Sequence, residues 1–187
     1  MQRIGLINLP EAIVRFAVAA ILLGLACSSA QALGTEDALM KRLSEAPTQE
    51  DGRSAEDAVW RYWLDEAPTV EVRGHIDEGM RKRDGYDFAG AEAEFDKVVE
   101  LAPEYAEGYN QRAFARFLRD NTEGALADLE RTLELKPRHF GALSGMYHVL
   151  FRMGRTEAAT ANLEKAVALH PWLKERSLLP RSLGKPL

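Results

Sequence analysis

Pro103, Pro137 and Pro171 stand 34 residues apart. Proline lacks a backbone N–H and its ring clashes with the preceding helical turn, so this interval limits helix length and makes the chain repeat itself. The intervening residues repeat in the same gapless frame. Ala91-x-x-x-Phe95, Ala125-x-x-x-Leu129 and Ala159-x-x-x-Leu163 precede the three prolines, with Val98/Val99, Thr132/Leu133 and Ala166/Val167 one turn on. That spacing puts them on one helical face. The small alanines let two helices approach, and the larger residues fill the space between units. Three units follow: Val72 to Tyr105, Ala106 to His139 and Phe140 to Leu173. Leu101, Leu135 and Leu169 complete the columns, as do the acid–base couples Asp96-Lys97, Glu130-Arg131 and Glu164-Lys165, which read as a solvated face. No stretch alternates apolar and polar residues as a strand would, so the expected class is all-α.

The pattern resembles the tetratricopeptide repeat family, in which a Trp-x-x-Leu-Gly-x-x-Tyr first helix precedes Ala-x-x-x-Phe and a proline. The second-helix columns match in all three units. In the first helices Gly79 fills the glycine column, followed by Tyr109, Ala113 and Arg116 in the second unit and Leu143, Tyr147 and Leu150 in the third, with Gly154 at the turn. The resemblance covers residues 72–173. It implies a right-handed α-solenoid of about three helix pairs whose first helices line a concave, partner-binding groove. On that basis the groove residues are Arg73 and Asp77 in unit one, Asn110, Gln111 and Phe114 in unit two, and Ser144, His148 and Arg152 in unit three. Phe114 and His148 share a column and are the expected direct contacts. Asn110 and Gln111 have side-chain amides suited to an extended peptide backbone. Phe117, Leu118 and Phe151 suit packing against neighbouring helices equally well. The family's carboxylate clamp is absent, its columns holding Ile76, Met80, Gln111, Gly141 and Gly145.

The amino terminus reads as an export signal. Arg3 and Arg15 precede an apolar core at 16–26, too short for a permanent bilayer span, and Ala30-Gln31-Ala32 supplies small residues for cleavage after Ala32. Residues 1–32 are therefore the expected signal peptide, and the location periplasmic. An alternative is a lipoprotein cut before Cys27, although Gly24 occupies the usual leucine position; only then is a membrane involved. Cleavage after Ala32 removes the only cysteine together with two arginines and one glutamate, taking the formal net charge from −5 to −6. That acidity argues against nucleic acid and anionic lipid as partners.

Residues 33–71 read as a degenerate helical pair capping the repeats. Thr35 caps a helix carrying Leu39 and Leu43, and Ser54-x-x-Asp57 resembles a capping box opening a helix from Ala55 to Glu66. Trp60 and Trp63 fall near the columns of Phe95 and Val98; with Tyr62 they read as core, the alternative being a binding patch. Residues 174–187 are expected to form a short capping helix and a loose tail. Thr122-Glu123 and Thr156-Glu157 stand before the second helices of units two and three, where the hydroxyls are expected to cap the first free amide hydrogens, with Asp87 as the nearest cap in unit one.

No phosphate loop, nucleophile elbow or His-Glu-x-x-His motif occurs in the sequence. His139 and His170 fall at inter-repeat turns and are expected to face solvent. No cofactor, metal, small-molecule substrate or catalytic residue is expected. The expected function is an exported adaptor or scaffold holding a protein or peptide partner in its groove; the alternative is a structural homo-oligomer of stacked repeat ends without a dedicated ligand.

Overall fold

The computed structural model describes residues 35–180. The expected leader with Cys27, its cleavage site and the tail from 181 to 187 lie outside the described residues. The described residues from Leu39 onward belong to one compact unit. A helix over 35–44 (α1) is followed by α2 (Gln49–Asp65), α3 (Val70–Asp84), α4 (Phe88–Leu101), α5 (Ala106–Leu118), α6 (Thr122–Leu135), α7 (Phe140–Arg152) and α8 (Thr156–Leu169). A 3-10 turn, Lys174–Leu178, closes the described chain. There is no strand among the described residues, and no helix there is long and apolar enough to cross a membrane. The fold is an all-α repeat solenoid.

The pairs α3–α4, α5–α6 and α7–α8 follow the 34-residue frame. Ala91, Ala125 and Ala159 are fully buried, as are Phe95 and Leu163, with Leu129 nearly so. Close packing at alanine and bulky filling one turn on thus occur together in each unit. The turn inside each pair also repeats: Tyr86, Asp120 and Gly154, in one column, adopt positive φ values of 64°, 61° and 75°. Each lets the next residue's N–H reach five residues back, as from Asp87 to the Lys82 carbonyl at 2.9 Å. This closes the first helix with a left-handed cap.

That turn shifts the helix starts. The residue after it is the cap, so Asp87 accepts from the Gly90 N–H at 2.9 Å and Asn121 from the Gly124 N–H at 3.0 Å. Thr122 and Thr156 are the first helical residues and not the caps. In unit three the cap position holds Arg155, which makes no side-chain cap bond. α2 likewise begins before its expected start. Thr48 caps it, accepting from the Asp51 N–H at 3.2 Å, whereas Ser54 lies inside the helix and accepts from Arg42 at 2.9 Å.

α2 does not stack ahead of α3 as a further repeat pair. It runs along the N-terminal ends of α5 and α7 toward the chain's closing turn. The Tyr105 hydroxyl donates to the last-turn carbonyls of Trp63 and Leu64 at 3.1 and 3.2 Å, tying the end of α2 to the residue that precedes α5. Burial pushes the Tyr105 phenol pKa up. Lys136 pairs with Glu66 at 3.0 Å and His170 with Glu56 at 3.2 Å. The Trp172 indole N–H donates to the Ala46 carbonyl at 2.8 Å, and its ring lies against Gly52. The helical segment read as a cap at the head of the stack is therefore a strap across its edge. Its apolar face is buried: Met40, Leu43, Val59 and Trp63 share one core with Phe140, Leu143 and Leu163, while the first unit has its own core around Ile76 and Phe95.

Candidate functional site

Because side chains 34 residues apart occupy equivalent places, the first helices α3, α5 and α7 present a common face. Met80, Phe114 and His148 are one column on it, and Asn110 and Ser144 belong to another. α2 supplies the opposing wall through Glu56, Trp60 and Leu64. Between them lies an open, mainly apolar cavity of about 610 Å³, within the range of known ligand pockets. Phe114 is 48% exposed at its mouth. Gly141 sits where a Cβ would come within 2.4 Å of the Trp60 ring, so only glycine lets the strap close this far onto α7.

Behind the cavity is a buried polar chain. The Glu107 carboxylate accepts from the Asn110 amide, the Gln111 amide and His139 Nε2, the last at 2.9 Å. His139 Nδ1 accepts from the Ala142 N–H at 3.0 Å, capping α7. That bond assigns the ring proton to Nε2, directed at Glu107. The Gln111 amide oxygen in turn accepts from Arg83, whose guanidinium lies 5.1 Å from the Phe114 ring centre.

Five of the eight groove residues expected from the sequence meet at this cavity: Asn110, Gln111, Phe114, Ser144 and His148. The amides of Asn110 and Gln111 are engaged with Glu107, so they orient the wall and are not free to pair with a peptide backbone. Arg73, Asp77 and Arg152 are not in the lining. Arg73 pairs with Asp65 at 2.7 Å and Asp77 at 3.0 Å, beside the α2–α3 connection. Arg152 lies 3.7 Å over Phe117 and bonds its carbonyl at 3.0 Å.

His139 and His170, expected at solvent-exposed turns, are buried. Each is covered by α2: Trp63 stacks on His139, and Glu56 meets His170 and holds its own carboxyl below the ordinary range through that hydrogen bond. Glu107, in the first turn of α5, and Trp60, on α2, are site residues outside the groove set expected from the sequence. The signal for His139 lies in its column, Tyr105, His139 and Leu173, each the residue just before the next unit's first helix or the final 3-10 turn.

Ser144 and His148 face the cavity without a hydrogen-bond partner among the described residues. Ser144 is only 7% exposed. Among the described residues no three His, Cys, Asp or Glu side chains cluster as metal ligands would. The arrangement offers shape, apolar surface and two unengaged polar groups, which is the chemistry of binding.

No protein-family model and no curated protein matches the sequence. Solved structures do. A crystal structure of MamA superposes with a TM-score of 0.52 at 24% identity, covering 64% of this chain and 71% of that one. The TPR2AB domain of yeast Sti1, in a complex with pHSP90, gives a TM-score of 0.52 at 21% identity over 74% of this chain, which spans 55% of the Sti1 chain. A mutant MamA gives 0.50 at 19% identity, covering 82% and 92%. The chain therefore has the tetratricopeptide-repeat fold.

Proposed function

We propose that this chain is a non-catalytic adaptor that holds an extended segment of a partner protein between its first helices and the α2 strap. The observation that carries this reading is the open apolar cavity with a half-exposed Phe114 and the unengaged Ser144 and His148. Exposed aromatic surface beside a preformed concavity favours a bound partner, because covering it gains apolar burial without ordering the protein first. The Sti1 domain of the same fold, observed in complex with pHSP90, supports the reading. The reading of residues 1–32 as an export signal places the adaptor in the bacterial envelope, with anchoring at Cys27 as the alternative.

A photo-crosslinking residue at position 114, compared with one at Arg138, tests the groove in cells. The expected product is a partner joined at 114 and absent at 138, and Phe114→Ala with His148→Ala lowers its capture at least tenfold while the thermal midpoint holds. Equal capture from both positions overturns the groove. Intact mass tests the leader: the expected mature chain begins at Leu33, and retention of residues 1–32 overturns export.

A further inference from the structure

The charges lining the cavity are distributed unequally along the stack. At the α3 end stands Arg83, the only lysine or arginine of the lining among the described residues. Its guanidinium is fixed by the Phe114 ring, the Gln111 amide and, at 3.0 Å, Asp84, with the side chain 14% exposed. Gln111 is itself held by the buried Glu107. The cation is thus preset in direction, and ordering it on binding costs little. Asp84 stands on the water side, 70% exposed, where its field is weakened by solvent.

At the opposite end the lining carries two carboxylates, Glu56 on α2 and Glu175 in the 3-10 turn. Glu56 is oriented by His170 and by the Trp60 indole N–H at 3.3 Å. Glu175 has no hydrogen-bond or ion-pair partner among the described residues. The space between is floored by Ala113, Leu129, Gly145 and Val149, with the Ser144 hydroxyl set into it. Arg83 stands on α3 and Glu175 beyond α8, with the first helices α5 and α7 between them in the stack; at about 8–10 Å from helix to helix, a segment of about six extended residues crosses the apolar floor.

We infer that the groove selects its peptide by charge polarity. It takes an extended segment of about six residues with an apolar middle, a carboxylate at the Arg83 end and a basic side chain at the Glu56 and Glu175 end. This rests on the peptide-groove reading above. The apolar floor provides sequence-tolerant affinity, while the end charges set orientation and exclude segments charged alike at both ends. Ser144 supplies one hydrogen bond to the backbone midway.

The test uses synthetic fluorescent hexapeptides with a shared Leu-Phe-Ala-Leu middle, blocked termini and end pairs Glu/Lys, Lys/Glu, Lys/Lys, Glu/Glu and Ala/Ala. Anisotropy titrations with the purified full chain should show one mixed-charge peptide binding at least about tenfold tighter than the Lys/Lys, Glu/Glu and Ala/Ala peptides. Which mixed peptide wins gives the chain direction. Arg83→Glu should move the preference to Lys/Lys, and Glu175→Lys should move it toward Glu/Glu; Arg83→Gln, which can still bond Gln111, should make Lys/Lys bind as well as the best mixed peptide, both staying above Glu/Glu, without disturbing the fold by circular dichroism. If the Ala/Ala peptide equals the best mixed one and neither charge reversal reorders the series, polarity is wrong; the groove reading nevertheless stands provided Phe114→Ala still weakens all five. If no peptide binds, or binding is indifferent to Phe114→Ala, both fail. Self-association that competes with the peptides would assign the groove to a second copy of the chain and reject the proposal.

Discussion

The His139 imidazole lies almost flat on the Trp63 indole, their ring centres 4.0 Å apart and their planes 20° from parallel. Trp63 is fully buried there, on a helix outside the repeats, while His139 caps the first helix of the third unit and donates to Glu107 in the second. One stacking contact therefore secures the strap to two units at once. Trp63→Ala should cost about 3–5 kcal/mol, the range for deleting a large buried aromatic. Chemical denaturation monitored by circular dichroism measures it; a loss below about 1 kcal/mol would mean that the strap is not fixed through this ring.

Glu94 is the hub of a second polar group, accepting from Lys82 at 2.7 Å, Lys97 at 3.0 Å and His75 at 2.8 Å. Lys82 foremost, then Lys97 and His75, lower its pKa from 4.5 to about 2. A depressed carboxyl stabilises the fold above its unfolded pKa, and that contribution declines as pH falls through the folded value. Stability should therefore drop between pH 5 and pH 2, and Glu94→Gln should make the profile shallower there while lowering stability at pH 7. Parallel thermal melts of both proteins across that range decide the matter, and identical slopes would refute the assignment.

The left-handed turn column makes a prediction of opposite sign. Tyr86 is 83% exposed and has a φ of 64°, so its side chain gives up little burial while its backbone bears the cost that L-residues meet in this region. Tyr86→Gly and Asp120→Gly should each stabilise by up to about 1 kcal/mol, and Gly154→Ala should destabilise by about the same amount. Denaturant midpoints of the three variants provide the comparison.

Arg155 occupies the cap position filled by Asp87 and Asn121 in the other units. Arg155→Asn should add a hydrogen bond to the open N-terminus of α8 and raise stability by about 0.5–1 kcal/mol. Arg155→Ala, which adds no acceptor, should not, and a thermal midpoint unchanged by both would show that the end is already satisfied.

The second-helix columns could be read from the sequence because each demands one size at one place, and the same alanine, aromatic or leucine returns at every period. Phe114, Ser144 and His148 could be read for the same reason, as members of first-helix columns facing a common side. The strap could not. Its contacts join residues such as Trp63 to His139 and Glu56 to His170, which stand at no fixed interval. A turn histidine looks solvent-exposed until a distant helix covers it. The polar wall was half legible: Asn110 and Gln111 were located, but their amides serve Glu107, a buried acid that resembles any surface glutamate on an acidic chain. In units two and three the cap lies one residue before the expected threonine because a left-handed turn precedes it, and in unit two Asp120 gives no glycine to announce that turn.

A solenoid normally unfolds from its ends, since each unit touches only its neighbours and a terminal one can fray at the cost of a single interface. Here the strap binds Glu56 to His170 across 114 residues and Ala46 to Trp172 across 126. The last unit cannot loosen without releasing α2, and α2 cannot leave without opening the second and third units. The row of repeats is thereby closed into a circuit. Equilibrium unfolding becomes more all-or-none, and refolding must await the closing of a very large loop, a step slowed by its chain entropy.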